Sequence, residues 1–158
     1  MESPQNQFMR EAIRLSVENV KSGNGGPFAA VIVKDNKIIA RGTNRVTTTN
    51  DPTAHAEVVA IREACKELNA FQLEDCEIYT SCEPCPMCLG AIYWARPKKI
   101  YFANTREDAA HIGFDDSFIY DEIGLDFTKR SIDTEHILRD EALEAFQAWK
   151  AKTDKIEY

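Results

Sequence analysis

Two short motifs constrain this chain more than any other feature, because both are rich in side chains that bind metal ions. His55-Ala56-Glu57 opens one predicted helix, and Pro84-Cys85-Pro86-Met87-Cys88 opens another. A helix and a strand are predicted between the two motifs. The imidazole and the thiols therefore meet only in a fold that brings two helix starts together, and such a fold would hold three good metal ligands at one point.

The ligand types indicate a catalytic zinc site. One imidazole and two thiolates suit zinc, and three protein ligands leave the fourth tetrahedral position to a water molecule. Cys85 and Cys88 share one helical turn, and the partial positive charge of a helix N-terminus favours deprotonated thiols. Glu57 lies two residues after His55, where it can stand beside the metal and transfer protons without binding it. H-x-E combined with P-C-x-x-C is the signature of zinc deaminases.

The remaining cysteines leave one alternative open. Cys82 precedes the second motif, and as a fourth ligand it would close the site and make a structural, non-catalytic zinc module. We expect it instead to be a buried loop thiol. Cys65 and Cys76 are expected in the core, and His111 and His136 are expected to be ordinary surface or hydrogen-bonding histidines.

Composition and charge bound the class of protein. The 158 residues, 44% hydrophobic and 28% charged, predict a single domain spanning 1–158. A formal net charge of −7 disfavours a nucleic-acid partner, which needs many basic side chains, and favours a small substrate. No apolar run is long enough to cross a bilayer, and the first residues lack a basic start followed by an apolar stretch. We therefore expect a soluble cytoplasmic protein that does not bind membranes.

Hydrophobic periodicity and turn residues predict alternating helices and strands, which indicates an α/β layered domain. Asp51 or Thr53 is expected to cap the helix that carries the first motif and ends near Leu68. The other predicted helices are 5–22, 86–95, 105–111 and 140–152, and the predicted strands are 28–33, 37–40, 76–80, 99–103 and 132–138.

At these motifs the chain resembles the cytidine deaminase-like superfamily, and within it the bacterial guanine deaminases. The resemblance runs through GGPFAAVIV, TNDPTAHAEVVAIREACKEL, YTSCEPCPMCLGAIYWARPKKIYFA, GFDDSFIY, FQAW and the final Tyr158. It implies a three-layer α/β/α fold with a five-stranded mixed sheet of strand order 2-1-3-4-5. It also implies one Zn²⁺ per subunit, held by His55, Cys85 and Cys88, with Glu57 as the proton shuttle.

The activity implied by the resemblance is hydrolysis of guanine to xanthine and ammonia by a zinc-activated water. The resemblance further implies a homodimer in which the C-terminal segment, about 130–158, is exchanged, so that Tyr158 of one chain closes the pocket of the other. Two alternatives use the same zinc chemistry. One is a tRNA adenosine deaminase, which would need a basic groove; the other acts on a related base or nucleoside, such as guanosine, cytosine or an aminated triazine.

Aromatic side chains and helix starts are candidates to hold the flat base. Phe28, Trp94 and Phe114 are expected to stack on guanine or to wall its pocket, and each is otherwise a core residue. Backbone N–H groups near Ala56 and Cys85, at the two helix starts, are expected to hydrogen-bond the oxygen that is added to the base.

Polar side chains are candidates to recognise the edge of the base. Guanine has hydrogen-bond donors at N1 and the 2-amino group and acceptors at O6, N3 and N7. Asn44 offers a donor and an acceptor on one amide, with a turn residue as the alternative. Asp115 or Asp116 can accept the N–H groups of the base, with a helix N-cap as the alternative, and the resemblance favours Asp116.

Overall fold

A mixed sheet lies at the centre of the first of two units in this computed structural model, which describes residues 2–158. The first unit ends at Asp116, and the second is Ser117–Tyr158. None of the helices in residues 2–158 combines the length and the hydrophobicity needed to cross a membrane. In chain order the first unit contains α1 (Pro4–Lys21), β1 (Ala29–Lys34), β2 (Lys37–Thr43), α2 (Val46–Thr49), α3 (Ala56–Leu68), β3 (Glu77–Cys82), α4 (Pro86–Ala95), β4 (Lys99–Asn104) and α5 (Arg106–His111). The second contains α6 (Ser117–Ile123), a 3₁₀ turn (Phe127–Lys129) and α7 (Arg139–Ala151).

The order of the strands is β2-β1-β3-β4. β1 is antiparallel to both of its neighbours, with Ala30 opposite Gly42 on β2 and opposite Thr80 on β3. β4 is parallel to β3, with Cys82 opposite Asn104. Because parallel strands end at the same edge of a sheet, the segments that follow β3 and β4 are neighbours in space.

Successive residues of β1 are buried on opposite faces of the sheet, so the strand reads as a continuous apolar run. Ala30 and Ile32 belong to one core with side chains of α3 and α4, among them Ala56, Ala60, Ala64, Ile92 and Ala95. Val31 and Val33 belong to a second core on the α1 side, with Phe8, Met9, Ala12, Leu15, Tyr79 and Tyr101. Helices therefore cover both faces, and the predicted three-layer α/β/α architecture is confirmed.

The predicted fifth strand near 132–138 is not formed, and the sheet within residues 2–158 has four strands. Between Ile132 and Ile137 the run is polar throughout, so no alternation places an apolar row on one face. Leu138 has a left-handed backbone with φ 53°, which ends the extended conformation before α7. The prediction of five strands is therefore wrong in number, while the order 2-1-3-4 is confirmed.

The start of α3 also differs from the prediction. His55 is its N-cap residue, so neither Asp51 nor Thr53 caps this helix. The Asp51 carboxylate instead accepts hydrogen bonds from the backbone N–H of Thr53 at 2.8 Å and from its hydroxyl at 2.6 Å. Such a local turn competes with helix capping for the same acceptor. The elements α2, α6 and the 3₁₀ turn have no counterpart in the prediction, because each is too short to show a helical period.

The unit Ser117–Tyr158 has no buried residue. Leu143, Phe146 and Trp149 recur every three residues along α7, the helix predicted at 140–152, and Phe146 is 74% exposed. A segment of this length cannot bury a sufficient hydrophobic core by itself. Its other large exposed apolar side chains are Phe118, Ile123, Leu125, Phe127, Ile132, Ile137, Leu138, Ile156 and Tyr158.

Gly42 on β2 lets α3 approach the sheet more closely than any side chain would allow. A Cβ atom at Gly42 would lie 2.2 Å from the carbonyl oxygen of Ala56 and 2.5 Å from the backbone nitrogen of Ala60. Ala56 is the first residue of α3 and stands between His55 and Glu57 in sequence. The glycine therefore sets the position of the helix start that carries the first motif.

Gly42→Ala is expected to lower the free energy of unfolding by about 3 kcal/mol, because the added methyl group must displace the backbone of α3. Gly90→Ala is the matched control. A Cβ at Gly90, within α4, meets nothing within 4 Å, and alanine is favoured over glycine in a helix by about 1 kcal/mol. Urea unfolding followed by circular dichroism measures both changes. A Gly42→Ala protein as stable as the parent would contradict the close packing of α3 on β2.

Candidate active site

The starts of α3 and α4 meet beside the carboxyl end of β3, and each start contributes metal-binding side chains. His55 and Cys85 are the N-cap residues of the two helices, both with extended backbone. Pro86 follows Cys85 at the first helical position, where its missing N–H leaves no donor unsatisfied. The Cys85 sulfur accepts a hydrogen bond from the backbone N–H of Cys88 at 3.5 Å, which keeps both cysteines on the same side of the first turn.

The ligand atoms of His55, Cys85 and Cys88 have the spacing that zinc requires. His55 Nδ1 lies 3.5 Å from Cys85 Sγ and 3.5 Å from Cys88 Sγ. All three atoms lie within 4.8 Å of one another, and no fourth protein ligand joins this group among residues 2–158. A tetrahedral zinc ion with bonds of about 2.0 Å to nitrogen and about 2.3 Å to sulfur separates those two atoms by about 3.5 Å. The donor set therefore fits zinc with one position left for solvent.

Hydrogen bonding within the ligand group favours a thiolate at Cys85. The Cys88 side chain, by hydrogen bonding, lowers the pKa of Cys85 to about 4, and His55 contributes in the same direction. The same contact with Cys85, together with burial, raises the pKa of Cys88. The hydrogen bond with Cys85 also raises the pKa of His55. One sulfur is thus anionic from the protein's own interactions, as a metal ligand must be.

Glu57 lies beside the ligand group without belonging to it. It is in the first turn of α3, only 8% exposed, and its Oε2 lies 3.3 Å from Cys88 Sγ. Burial is the main reason that the pKa of Glu57 is raised. A carboxyl group in this position can exchange protons with a molecule bound at the metal position.

Cys82 is not a ligand of this group. It is the last residue of β3, buried, and its Sγ donates to the carbonyl oxygen of Thr105 at 3.6 Å. Burial raises the pKa of Cys82 to about 11, so the side chain is a neutral thiol. The prediction of a buried thiol is confirmed, although Cys82 lies on a strand and not in a loop. Cys76 is buried in the core on the α3 side and Cys65 packs against it, as predicted.

Phe28 and Phe114 lie in two different loops that contact each other, and Asp116 follows Phe114 by two residues. The Phe28 and Phe114 rings pack edge to face with their centroids 4.9 Å apart. Phe28 also packs against the core, while Phe114 is 48% exposed. Burial, followed by the negative charge of Cys85, raises the pKa of Asp116. The charge of Cys85 therefore acts on the Asp116 carboxyl group in the same direction as burial.

Asn44 is fixed by hydrogen bonds to three neighbours. Its backbone N–H donates to the Phe28 carbonyl at 3.1 Å, and its Oδ1 accepts from the backbone N–H of Val46 at 3.2 Å. Its own carbonyl accepts from Asn19 Nδ2 at 3.0 Å. The turn predicted as the alternative for Asn44 is therefore present. Because Oδ1 is used in that turn, the side-chain amide nitrogen is the group with which Asn44 can donate to a ligand.

Asn19 is a contributor that the sequence analysis does not identify. It lies on α1, only 4% exposed, and its Nδ2 donates to the carbonyl of Gly26 at 2.8 Å as well as to Asn44. It therefore ties the loop before Phe28 to Asn44. A buried amide must find hydrogen-bond partners, but the sequence of α1 does not indicate which segments provide them.

Three other residues are predicted to contribute to the substrate pocket: Ala56, Trp94 and Tyr158. Ala56 offers its backbone, because its side chain is buried in the core. Trp94 is 65% exposed near the C-terminal end of α4, so its alternative assignment as a core residue is wrong. Tyr158 belongs to the unit Ser117–Tyr158. The roles of these residues at a substrate stay predictions, while His111 and His136 are exposed, as expected.

Comparison with known proteins agrees with this geometry. Residues 2–104 match the family model of the cytidine and deoxycytidylate deaminase zinc-binding region. The guanine deaminase of Bacillus subtilis strain 168 is 60% identical over 151 residues, which covers 96% of this chain and 97% of that protein. The X-ray structure of guanine deaminase from Bacillus subtilis superposes with a TM-score of 0.96 at 57% identity, covering 100% of this chain and 99% of the other.

A second group of relatives shares a smaller part of the chain. The tRNA-specific adenosine deaminase of Aquifex aeolicus is 43% identical over 96 residues, which covers 61% of this chain and 63% of that protein. This relative therefore shares a smaller part of the chain than the guanine deaminase does. From the match over residues 2–104, together with the His55, Cys85 and Cys88 ligand group, the chain belongs to the cytidine and deoxycytidylate deaminase family and is a zinc-dependent deaminase.

Proposed function

We propose that this enzyme hydrolyses guanine to xanthine and ammonia, with one Zn²⁺ per subunit held by His55, Cys85 and Cys88. The observation that carries the choice of guanine is the extent of the likeness to the Bacillus subtilis guanine deaminase. That likeness covers 96% of the chain and so continues well beyond residue 104, where the match to the zinc-binding region ends. The likeness to the Aquifex aeolicus tRNA-specific adenosine deaminase covers only 61%.

The reaction requires a water molecule that loses a proton and an amino group that gains one. Zinc, when bound by the three ligands, supplies a water whose pKa is low enough for it to lose a proton near neutral pH. Glu57 accepts this proton and passes it to N3 as the water oxygen bonds to C2 of guanine. Glu57 then moves the second proton of that oxygen to the 2-amino nitrogen, so that ammonia leaves and the C2 carbonyl of xanthine forms. The position of Glu57 beside Cys88 supports this role, because it places one carboxyl group next to the metal ligands.

The base is held by groups on its faces and at its edge. The edge-to-face pair of Phe28 and Phe114 provides an apolar wall, and Asp116 accepts hydrogen bonds from N1–H and the 2-amino group. The amide nitrogen of Asn44 donates to an acceptor of the base. The first N–H groups of α3 and α4, near Ala56 and Cys85, have no acceptor within their own helices and donate to the oxygen added at C2.

The enzyme acts as a homodimer in the cytoplasm, and its C-terminal segment, about 130–158, is exchanged between subunits. The exposed apolar residues of Ser117–Tyr158 support the exchange, because a segment of this kind is stabilised by burial against another surface. The α4 sequence contains no charged residue, and its Met87, Tyr93 and Trp94 are exposed, which supports association through that helix. In the exchanged dimer Tyr158 closes the partner's pocket, and Trp94 contributes to the wall of the site.

Zinc-loaded protein is expected to release ammonia from guanine and to form no inosine in tRNA. Ammonia release from guanosine, cytosine and aminated triazines is measured in parallel.

Glu57→Gln should lower kcat by at least about a thousandfold, because it removes the proton-transfer group. The variant should keep its zinc, measured by metal analysis. Inosine formation in tRNA without ammonia release from guanine would replace the proposed substrate, and near-normal turnover by Glu57→Gln would overturn the mechanism.

Asp116→Asn is expected to lower kcat/KM for guanine about a hundredfold, because the carboxylate accepts from two donors of the base and an amide repels one of them. Asp115→Asn is the matched control, since it makes the same change at the neighbouring position, and it should alter kcat/KM less than about threefold. Steady-state kinetics at saturating zinc give both values. Equal effects of the two substitutions would remove Asp116 from the proposed contacts.

Mixing two inactive proteins tests the exchange of the C-terminal segment. Glu57→Gln retains Tyr158, and Tyr158→Ala retains Glu57, so a mixed dimer with exchanged tails contains one intact site. Refolding an equal mixture is then expected to restore about a quarter of the parental activity, because half of the dimers are mixed and each has one working site. No recovery in a mixture that light scattering shows to be dimeric, or a monomeric parent protein, would contradict the exchange.

A further inference from the structure

Glu83 connects the loop of the metal-binding cysteines to the next segment of the chain. It stands between Cys82, the end of β3, and Cys85, the start of α4. Its backbone N–H donates to the carbonyl of Asn104, the end of β4, at 2.8 Å, and its Oε2 accepts from the backbone N–H of Arg106 at 3.1 Å. One residue thus makes a backbone and a side-chain hydrogen bond to the strand end and helix start that follow β4.

The carboxylate of Glu83 supplies what the first turn of α5 lacks. In that turn the Asp108 carboxylate accepts from the backbone N–H of Thr105 at 2.9 Å, and the Thr105 hydroxyl accepts from the N–H of Asp108 at 3.3 Å. This reciprocal cap leaves the N–H of Arg106 without an acceptor inside the helix. Glu83 provides that acceptor from the neighbouring loop, so α5 is fixed both by its own cap and by the loop that carries Cys85.

The position of α5 determines where Phe114 and Asp116 lie. A tight turn follows α5, in which the N–H of Phe114 donates to the carbonyl of Ala109 at 3.0 Å and Gly113 has a left-handed φ of 94°. Phe114 then packs on Phe28, and Asp116 follows two residues later in the chain. A movement of α5 is therefore transmitted to both residues through a short, hydrogen-bonded connection.

We propose that Glu83 is a positioning residue for substrate binding, which fixes Phe114 and Asp116 relative to Cys85 through its hydrogen bond to the N–H of Arg106. The inference rests on the proposed function, because it assigns the guanine contacts to Phe114 and Asp116. Glu83 touches neither the base nor the metal. Its loss leaves the backbone bond to Asn104 in place, so the ligand group keeps its geometry while the recognition residues lose theirs.

Glu83→Ala is expected to raise KM for guanine about tenfold with little change in kcat, because misplaced recognition groups weaken the binding of substrate and transition state alike. Glu83→Gln keeps an oxygen acceptor for the Arg106 N–H and should restore KM to within about threefold of the parent. Glu107→Ala is the matched control. It removes a glutamate carboxylate from the first turn of α5 and should leave KM unchanged. Zinc content should be equal in all four proteins.

A double-mutant cycle separates positioning from general loosening of the fold. If Glu83 acts through Asp116, Glu83→Ala should raise KM much less in an Asp116→Asn background than in the parent, because the contact that it aligns is already lost. Fully additive effects of the two substitutions, or an unchanged KM in Glu83→Ala alone, would overturn the proposal.

Amide hydrogen exchange provides a readout that needs no substrate. Glu83→Ala should accelerate exchange about tenfold in 106–116 and leave 86–95 unchanged, and Glu83→Gln should restore the slow exchange. Unchanged protection of 106–116 overturns the role of Glu83, whatever the substrate. Accelerated exchange in a protein that does not deaminate guanine would retain the link between the two loops and refute the proposed function instead.

Discussion

The metal site depends on the close packing of α3 on the sheet at Gly42. His55 and Glu57 come from the start of that helix, whereas Cys85 and Cys88 come from the start of α4. The two helices share one alanine-rich core against the same face of the sheet, and this packing brings their starts together. Because the metal binds side chains from both helices, the free energy of metal binding also stabilises the packing of α3 against α4.

Burial gives the site its preference for a cation. The carboxyl group of Glu57 contacts Cys88, which shares the ligand group with Cys85, and the low dielectric of such a cluster disfavours several negative charges at once. The hydrogen bond with Cys85 and burial raise the pKa of Cys88, burial raises the pKa of Glu57, and only Cys85 is favoured as an anion. A bound dication offsets the repulsion, so the arrangement that is unfavourable for free side chains is favourable for zinc coordination.

The sequence predicts the ligand group well because the signal is local. Each pair of functional residues lies within one helical turn, and the elements on either side have clear periods, such as the continuous apolar run of β1. Interactions between distant segments give no such signal. The hydrogen bonds of Asn19 to Gly26 and Asn44, and that of Glu83 to Arg106, depend on tertiary contacts that no pattern in either segment indicates. The strand predicted near 132–138 is not formed, because a local signal there has no tertiary support. The β-branched residues at its ends suggest a strand, but strand pairing needs an apolar face, which this run lacks.

Under the proposed function, chemistry and recognition are carried by different parts of this fold. The groups that the zinc and the proton transfer need are fixed by the starts of α3 and α4, inside residues 2–104, which match the zinc-binding region of the family. Phe114 and Asp116 lie beyond residue 104, after β4 and α5. The parallel pairing of β3 and β4 permits this division. The segment after β4, which carries Phe114 and Asp116, starts at the same edge of the sheet as the segment after β3, which carries Cys85. A change of substrate then requires a different segment after β4, held at the same distance from an unchanged catalytic centre. Glu83, whose side chain joins the loop after β3 to the segment after β4, sets that distance in our proposal.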